Sequence, residues 1–167
     1  MRRDRALAAL RGELLAYAQS LTLDATAAED LVQDAMLRAL QSPHVPAARS
    51  ELRPWAFRVV KNLFLDDLRK LRVRMEYRRE QARLSRESPP RPADAVEALV
   101  VRQAFEKLNP REREILCLID VLGLSYAEAA MVIGVPPGTV MSRVSRARRS
   151  MAEKLGESNI RPLRRRE

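Results

Sequence analysis

The side chains in this sequence best suited to chemistry are arginines and hydroxyls, and their spacing points to recognition rather than catalysis. From Pro137 onward, Val140, Val144, Ala147, Met151 and Leu155 recur at helical intervals, marking one apolar face. The other faces carry Thr139, Ser142, Arg143, Ser145, Arg146 and Arg149. Hydroxyls and guanidinium forks opposite a packing stripe suit base edges and phosphates in a major groove. The residues before this stretch complete the unit. Ser125 and Glu128 form a capping box that opens a helix, and Tyr126, Ala129, Ala130 and Ile133 give it an apolar face. Gly134 suits a left-handed helix exit, and Pro136 with Pro137 breaks the chain before the next helix. Cap, turn, small residues and basic outer face agree on a DNA-binding helix-turn-helix over a solvated hairpin.

The parts of an enzyme are missing. The chain of 167 residues has one cysteine and one histidine, which excludes an internal disulfide and a Cys/His metal site. Cys117 lies among Ile115, Leu116, Leu118 and Ile119, the setting of a buried, inert thiol. His44, between Pro43 and Pro46, is a loop residue. Asp66 and Asp67 are neighbours on a helix and point about 100° apart, so they form no carboxylate dyad. Neither a Gly-rich phosphate loop nor a ligand cluster is present. No catalytic residue, no metal and no cofactor is therefore expected, and the chain is read as a non-enzyme. Its net charge of +9, from 31 Lys+Arg against 22 Asp+Glu, favours a polyanionic partner.

Five glycines and abundant Ala, Leu, Arg and Glu indicate an all-α chain. Two small helical domains joined by a Pro-rich linker are expected, with the helix-turn-helix in the second. The boundaries read as 1–76, a basic and Pro-rich linker at 77–95, 96–156, and a basic tail at 157–167. The first helix spans about Arg5 to Ser20, with Leu7, Leu10, Leu14, Leu15 and Ala18 inward. Thr26 and Glu29 form a second capping box. The helix it opens buries Leu31, Val32, Ala35, Met36, Ala39 and Leu40 and presents Asp30, Gln33, Asp34 and Arg38. Glu29 and Asp30 suit the helix dipole, whereas Asp34 lies beyond the first turn and suits a contact.

A long helix from Glu51 to about Met75 keeps Leu52, Trp55, Ala56, Val59, Leu63 and Phe64 inward. Its outer face reads Arg58, Lys61, Asn62, Leu65, Asp66, Arg69 and Lys70. Leu65 is out of place on that polar stripe. Eight basic residues from Arg69 to Arg86 form a strip able to track phosphates. Pro89, Pro90 and Pro92 favour an extended connection. Then Leu99, Val100, Ala104 and Leu108 face inward, Asn109 caps a helix with Pro110 in its first turn and Glu112 reaching back, and Gly123 ends it. No run is long enough to span a membrane, and MRRDRALAAL lacks the apolar core of a signal peptide. A cytoplasmic protein without membrane insertion is expected.

Three stretches, AEDLVQDAMLRAL, RPWAFRVVKNLFLDDLRK and LNPREREILCLIDVLGLSYAEAAMVIGVPPGTVMSRVSRARRSM, resemble the extracytoplasmic-function sigma factors of bacterial RNA polymerase, a branch of the sigma-70 family. They match its clamp-binding helix, its minus-ten reading helix and its minus-thirty-five reading domain, in that order. The resemblance implies an initiation subunit whose partners are core RNA polymerase, promoter DNA and an anti-sigma factor, and which is a monomer when free. It implies that Asp30, Gln33 and Asp34 contact the polymerase. Arg58, Lys61, Asn62, Asp66 and Arg69 would lie by the melted minus-ten strand, with a flipped base held in a loop pocket at the end of that helix. Gly138, Thr139, Ser142, Arg143, Arg146 and Arg149 would face the minus-thirty-five groove. The anti-sigma contact is expected at Leu65 and at apolar surface between the domains. Where relatives place a hydroxyl or acidic cap, this chain has Pro136, so the first amides of the recognition helix need another acceptor. Few aromatics are exposed on the long helix, so capture of one or two bases is expected rather than an extended stack. The alternative is a stand-alone helix-turn-helix regulator, for which the clamp-like and basic helices have no use.

Overall fold

The computed structural model describes residues 2–78 and 96–157. Among the described residues there are seven α-helices, α1 (Arg2–Thr22), α2 (Ala25–Gln41), α3 (Arg49–Arg78), α4 (Val96–Glu106), α5 (Pro110–Leu116), α6 (Tyr126–Ile133) and α7 (Pro137–Glu157), with a π turn at Cys117–Val121 continuing from α5. The Pro-rich stretch, the basic residues Arg79, Arg83 and Arg86, and the basic tail lie outside the described residues.

Helices α1, α2 and α3 pack pairwise against one another, and α4, α5 and α6 each pack on α7. The two groups also meet directly, α6 on α3 and α5 on α1. One continuous core results, running from Leu7, Leu14 and Val32 through Phe57 and Val60 to Leu118, Val140 and Val144.

Several local expectations shift. The second helix starts at Ala25 because the Asp24 carboxylate accepts from the Ala27 amide at 2.7 Å. This replaces the Thr26–Glu29 box, whose residues lie inside the helix. Leu40, expected inward, is 46% exposed, as is Leu99 in part, at 38%. On α3 the buried set includes Phe57 and Val60, while Trp55, Val59 and Phe64 are only partly covered. A single inner face does not describe this helix, because it is packed on two sides. Glu112 does not reach back to its cap. Asn109 accepts from the Glu112 amide at 2.9 Å, and the Glu112 carboxylate instead accepts from the Ser150 hydroxyl of α7 at 2.8 Å.

The helix-turn-helix keeps its cap and turn signals, although Tyr126 and Leu155, expected on its apolar faces, are 37% and 36% exposed. The Ser125 amide donates to Glu128 at 2.8 Å and the Glu128 amide donates to the Ser125 hydroxyl at 3.2 Å. Gly134 closes α6 with φ of 71°, the left-handed region that glycine enters at little cost. Pro136 solves its own capping problem. Its carbonyl accepts from the Thr139 amide at 3.0 Å and the Val140 amide at 3.2 Å, and Pro137 has no N–H to satisfy.

Candidate nucleic-acid interface

Three helix faces carry the expected contact residues, and the fold treats them differently. On α2, Asp30, Gln33 and Asp34 are all exposed on one side. Leu37 joins them at helical spacing and is 56% exposed, so the face is apolar at its C-terminal end as well as acidic. Leu37 went unnoticed among the polar residues, although its offset from Gln33 and Asp34 places it on their face.

On α7, Val140, Val144 and Ala147 are buried, which turns the opposite side outward. Gly138, Ser142, Arg146 and Arg149 are exposed, and Thr139 and Arg143 are half-buried. Without a partner, the polar groups lean on the helix itself. The Ser142 hydroxyl donates to the Thr139 carbonyl at 3.0 Å, and Arg146 Nε donates to the Ser142 carbonyl at 3.3 Å. Arg143 and Arg146 share a hollow of about 330 Å³ with Arg111 of α5, so three guanidinium groups border one notch. Arg111 was not singled out in the sequence, because its position on another helix hides the proximity. Arg148 is excluded from this face. It makes a two-pronged bond to Asp120, at 2.6 and 3.1 Å, which ties α7 to the π turn. That bond to Asp120 raises its pKa above the ordinary value.

On α3 the expected group is divided. Arg58, Asn62 and Arg69 are exposed. Asp66 and Arg69 pair with each other at 2.9 Å across one helical turn. Asn62 borders a hollow of about 220 Å³ lined by Arg38, Ser42, Trp55 and Val59, which reaches the loop between α2 and α3. Lys61 is not free. Its ammonium lies 2.9 Å from the Glu114 carboxylate of α5, with side-chain exposures of 17% and 13%.

Glu114 also accepts from the Tyr17 hydroxyl at 2.7 Å. Burial first, then the neighbouring Glu114 charge, raises the Tyr17 phenol well above its usual pKa. Around this group, Arg113 donates to the Ser20 carbonyl at the end of α1 and to the Leu108 carbonyl. Arg113 is itself buried, which lowers its pKa. Arg53 of α3 donates to the Leu122 carbonyl and pairs with Glu13 at 2.8 Å. Cys117 is buried here too, and burial pushes its thiol up to about 11, which suits an inert packing residue.

Residues 7–74 match sigma-70 region 2, and residues 98–151 match sigma-70 region 4. The ECF RNA polymerase sigma factor EcfG of Rhodopseudomonas palustris is 38% identical over 150 residues, covering 90% of this chain and 82% of that protein. Among solved structures, the sigma factor RpoE in complex with the anti-sigma factor NepR, from Bartonella quintana, superposes with a TM-score of 0.71 at 31% identity, covering 92% of this chain and 93% of that one. CnrH, solved in complex with the cytosolic domain of CnrY, superposes with a TM-score of 0.62 at 25% identity over 92% of this chain and 87% of its own. Regions 2 and 4 in this order, on this all-α fold, define a sigma-70-type transcription factor. The chain belongs to the extracytoplasmic-function sigma factors of RNA polymerase. No helix among the described residues is long and apolar enough to cross a membrane.

Proposed function

We infer that this chain binds core RNA polymerase and directs promoter-specific initiation, reading the minus-thirty-five element with α7 and engaging the melted minus-ten strand with α3. The observation that carries this reading is the open face of α2. Asp30, Gln33, Asp34 and Leu37 are exposed together on a helix whose other side is core. A free-standing regulator has no use for that face, whereas a polymerase subunit needs one. The two domains are assigned to 1–76 and 96–156, joined by the segment between them. Asn62 and the hollow beside Trp55 suit one extruded base, held by stacking and edge hydrogen bonds. Arg143, Arg146 and Arg149, with Ser142 and Thr139, suit base edges and phosphates of a duplex.

An anti-sigma partner is assigned to the junction of the two helical groups. Leu23, Val121 and Phe105 border a hollow of about 370 Å³ there, and Leu65 is separately exposed on α3. The apolar surface expected between the domains is otherwise consumed by their mutual packing.

The test is co-purification with core RNA polymerase followed by run-off transcription on a promoter library. Stable association with selective initiation is the expected result. Asp34→Arg should abolish that association while leaving helicity and melting temperature unchanged. Normal association of the variant would remove α2 from the interface.

A further inference from the structure

Building on that reading, we propose that Met141 selects an A·T base pair in the upstream element, by laying its thioether against the C5-methyl group of a thymine. The starting observation is an apolar side chain on a surface that is otherwise polar. Met141 is 57% exposed, more than any other large apolar side chain of α7, the next being Leu155 at 36%. Met141 is the fifth residue of the helix, within its first two turns, the part of a recognition helix that meets base edges. A scattered exposed apolar residue is ordinary, so the surroundings of this one decide its role.

Those surroundings leave the thioether open to a ligand. Packing on the fold is carried by Val140, Val144 and Ala147, and Met141 lies about 100° round the helix from Val140. Its neighbours one turn away on that side are Pro137, Gly138 and Ser145, none of them long enough to cover it. A helical side chain leans back over the preceding turn. There, no atom lies within 4 Å of where a Cβ of Gly138 would stand, so the thioether is not folded down onto the helix at that point. Gly138 and Ser142, both assigned to the groove, are exposed beside it.

The chemistry of the remaining residues says what that ligand is. In the major groove adenine is read by a two-pronged bond from Asn or Gln, and α7 contains neither. Its arginines match guanine, and its hydroxyls serve any base. The polar set therefore separates G·C pairs well and A·T pairs poorly. The thymine methyl is the apolar mark of the groove. Methionine is unbranched and polarizable, so it can follow a methyl group without a preformed socket. Thr139 carries another methyl on this helix but is half-buried, which leaves Met141 as the better placed apolar group. Taking one methyl-sized group out of water corresponds to about fourfold in affinity.

The test uses the full chain, with and without core polymerase. Selection from a library of duplexes defines the upstream element. Each thymine of that element is then replaced singly by deoxyuridine, which removes the C5 methyl and leaves every hydrogen-bonding group in place. Fluorescence anisotropy compares the paired duplexes. At one thymine the wild type should bind the methylated duplex about fourfold more tightly. Met141→Gln, of similar length, should bind the two equally, and Met141→Leu should keep the preference. Circular dichroism and melting should match wild type for both variants, since the position is exposed. A methyl preference retained by Met141→Gln would overturn the proposal, because DNA shape or Thr139 would then be its source. Equal binding of thymine and deoxyuridine by the wild type at every position would overturn it too, as would a selected element without an A·T pair. Failure of the wild-type chain to associate with core polymerase would instead strike the functional reading, and the methyl comparison on the chain alone would still decide Met141.

Discussion

Helices α3 and α7 both carry a basic outer face, and the fold uses them in opposite ways. The outer face of α7 is clear. Its structural duties fall on Val140, Val144, Ala147 and Met151 on the far side, on Ser150, which donates to Glu112, and on Arg148, which is tied to Asp120. The residues proposed for recognition are exposed or half-buried, and the bonds of Ser142 and Arg146 stay within the helix. In α3 the two roles overlap. Phe57 is fully buried and meets Tyr17 edge-on, with ring centroids 5.3 Å apart, and Lys61 one turn later is held by Glu114. A face that carries no load is free to evolve new sequence preferences. A face that is partly core can engage a ligand only after something moves.

The largest effect expected from this contrast is on stability. Phe57→Ala should cost about 3–5 kcal/mol, because it empties the centre of a core shared by both helical groups. Chemical denaturation followed by far-ultraviolet circular dichroism checks it. A loss below about 1 kcal/mol would mean that Phe57 is not packed into a core in solution. A pH effect comes next. The Cys117 thiol ionises at 9.0 when free and at about 11 in place. The folded state therefore keeps a proton that the unfolded chain releases. Stability is full below pH 9 and is lost as pH rises toward 11, by about 2–3 kcal/mol. Cys117→Ala should flatten that part of the stability curve, leaving the contribution of Tyr17 above pH 10.

The same contrast explains what was legible in the sequence. The helix-turn-helix was readable almost residue by residue, because its determinants are local. A box spanning Ser125 to Glu128, a glycine at 134 and a proline pair at 136 and 137 act within one turn of themselves. The open faces of α2 and α7 were readable for a related reason, since one-sided packing leaves a clean periodicity. The inner side of α3 was not. Two partners cover two flanks, so its apolar residues spread around the helix and the pattern selects Val59 and Phe64 over Phe57 and Val60. The Glu114 junction was hidden altogether. Tyr17 and Glu114 are 97 positions apart, and no spacing rule joins them. The Asp24 cap was missed because Thr26 and Glu29 offered a well-formed alternative two residues on.

On the clear face, the effect should fall on binding alone. Arg143→Ala or Arg146→Ala should weaken binding to the upstream element by about 1–3 kcal/mol and relax its sequence preference. Thermal melting should stay within about 0.5 kcal/mol of wild type, as for surface changes elsewhere. Fluorescence anisotropy on matched and mismatched duplexes checks both parts. An equal loss on every sequence would reclassify the residue as a phosphate contact. A large loss of stability would show that α7 carries load on its outer face after all.

The smallest effects come from two glycines that border this face. Neither has any atom within 4 Å of where a Cβ would sit, so backbone conformation alone decides their substitution. Gly134 has φ of 71°, and Gly134→Ala should cost about 1–2 kcal/mol. Gly138 is the second residue of α7, at ordinary φ, and Gly138→Ala should stabilise by at most about 0.5–1 kcal/mol. That corresponds to an increase of about 1–4 °C in melting temperature for a chain of this size. Gly138 is also assigned to the groove-facing set, where a bare backbone allows close approach to a phosphate. The alanine should therefore melt higher and yet bind the upstream duplex severalfold more weakly. A variant that gains stability without losing affinity would move Gly138 out of the contact set and leave the recognition surface to the residues from Thr139 onward.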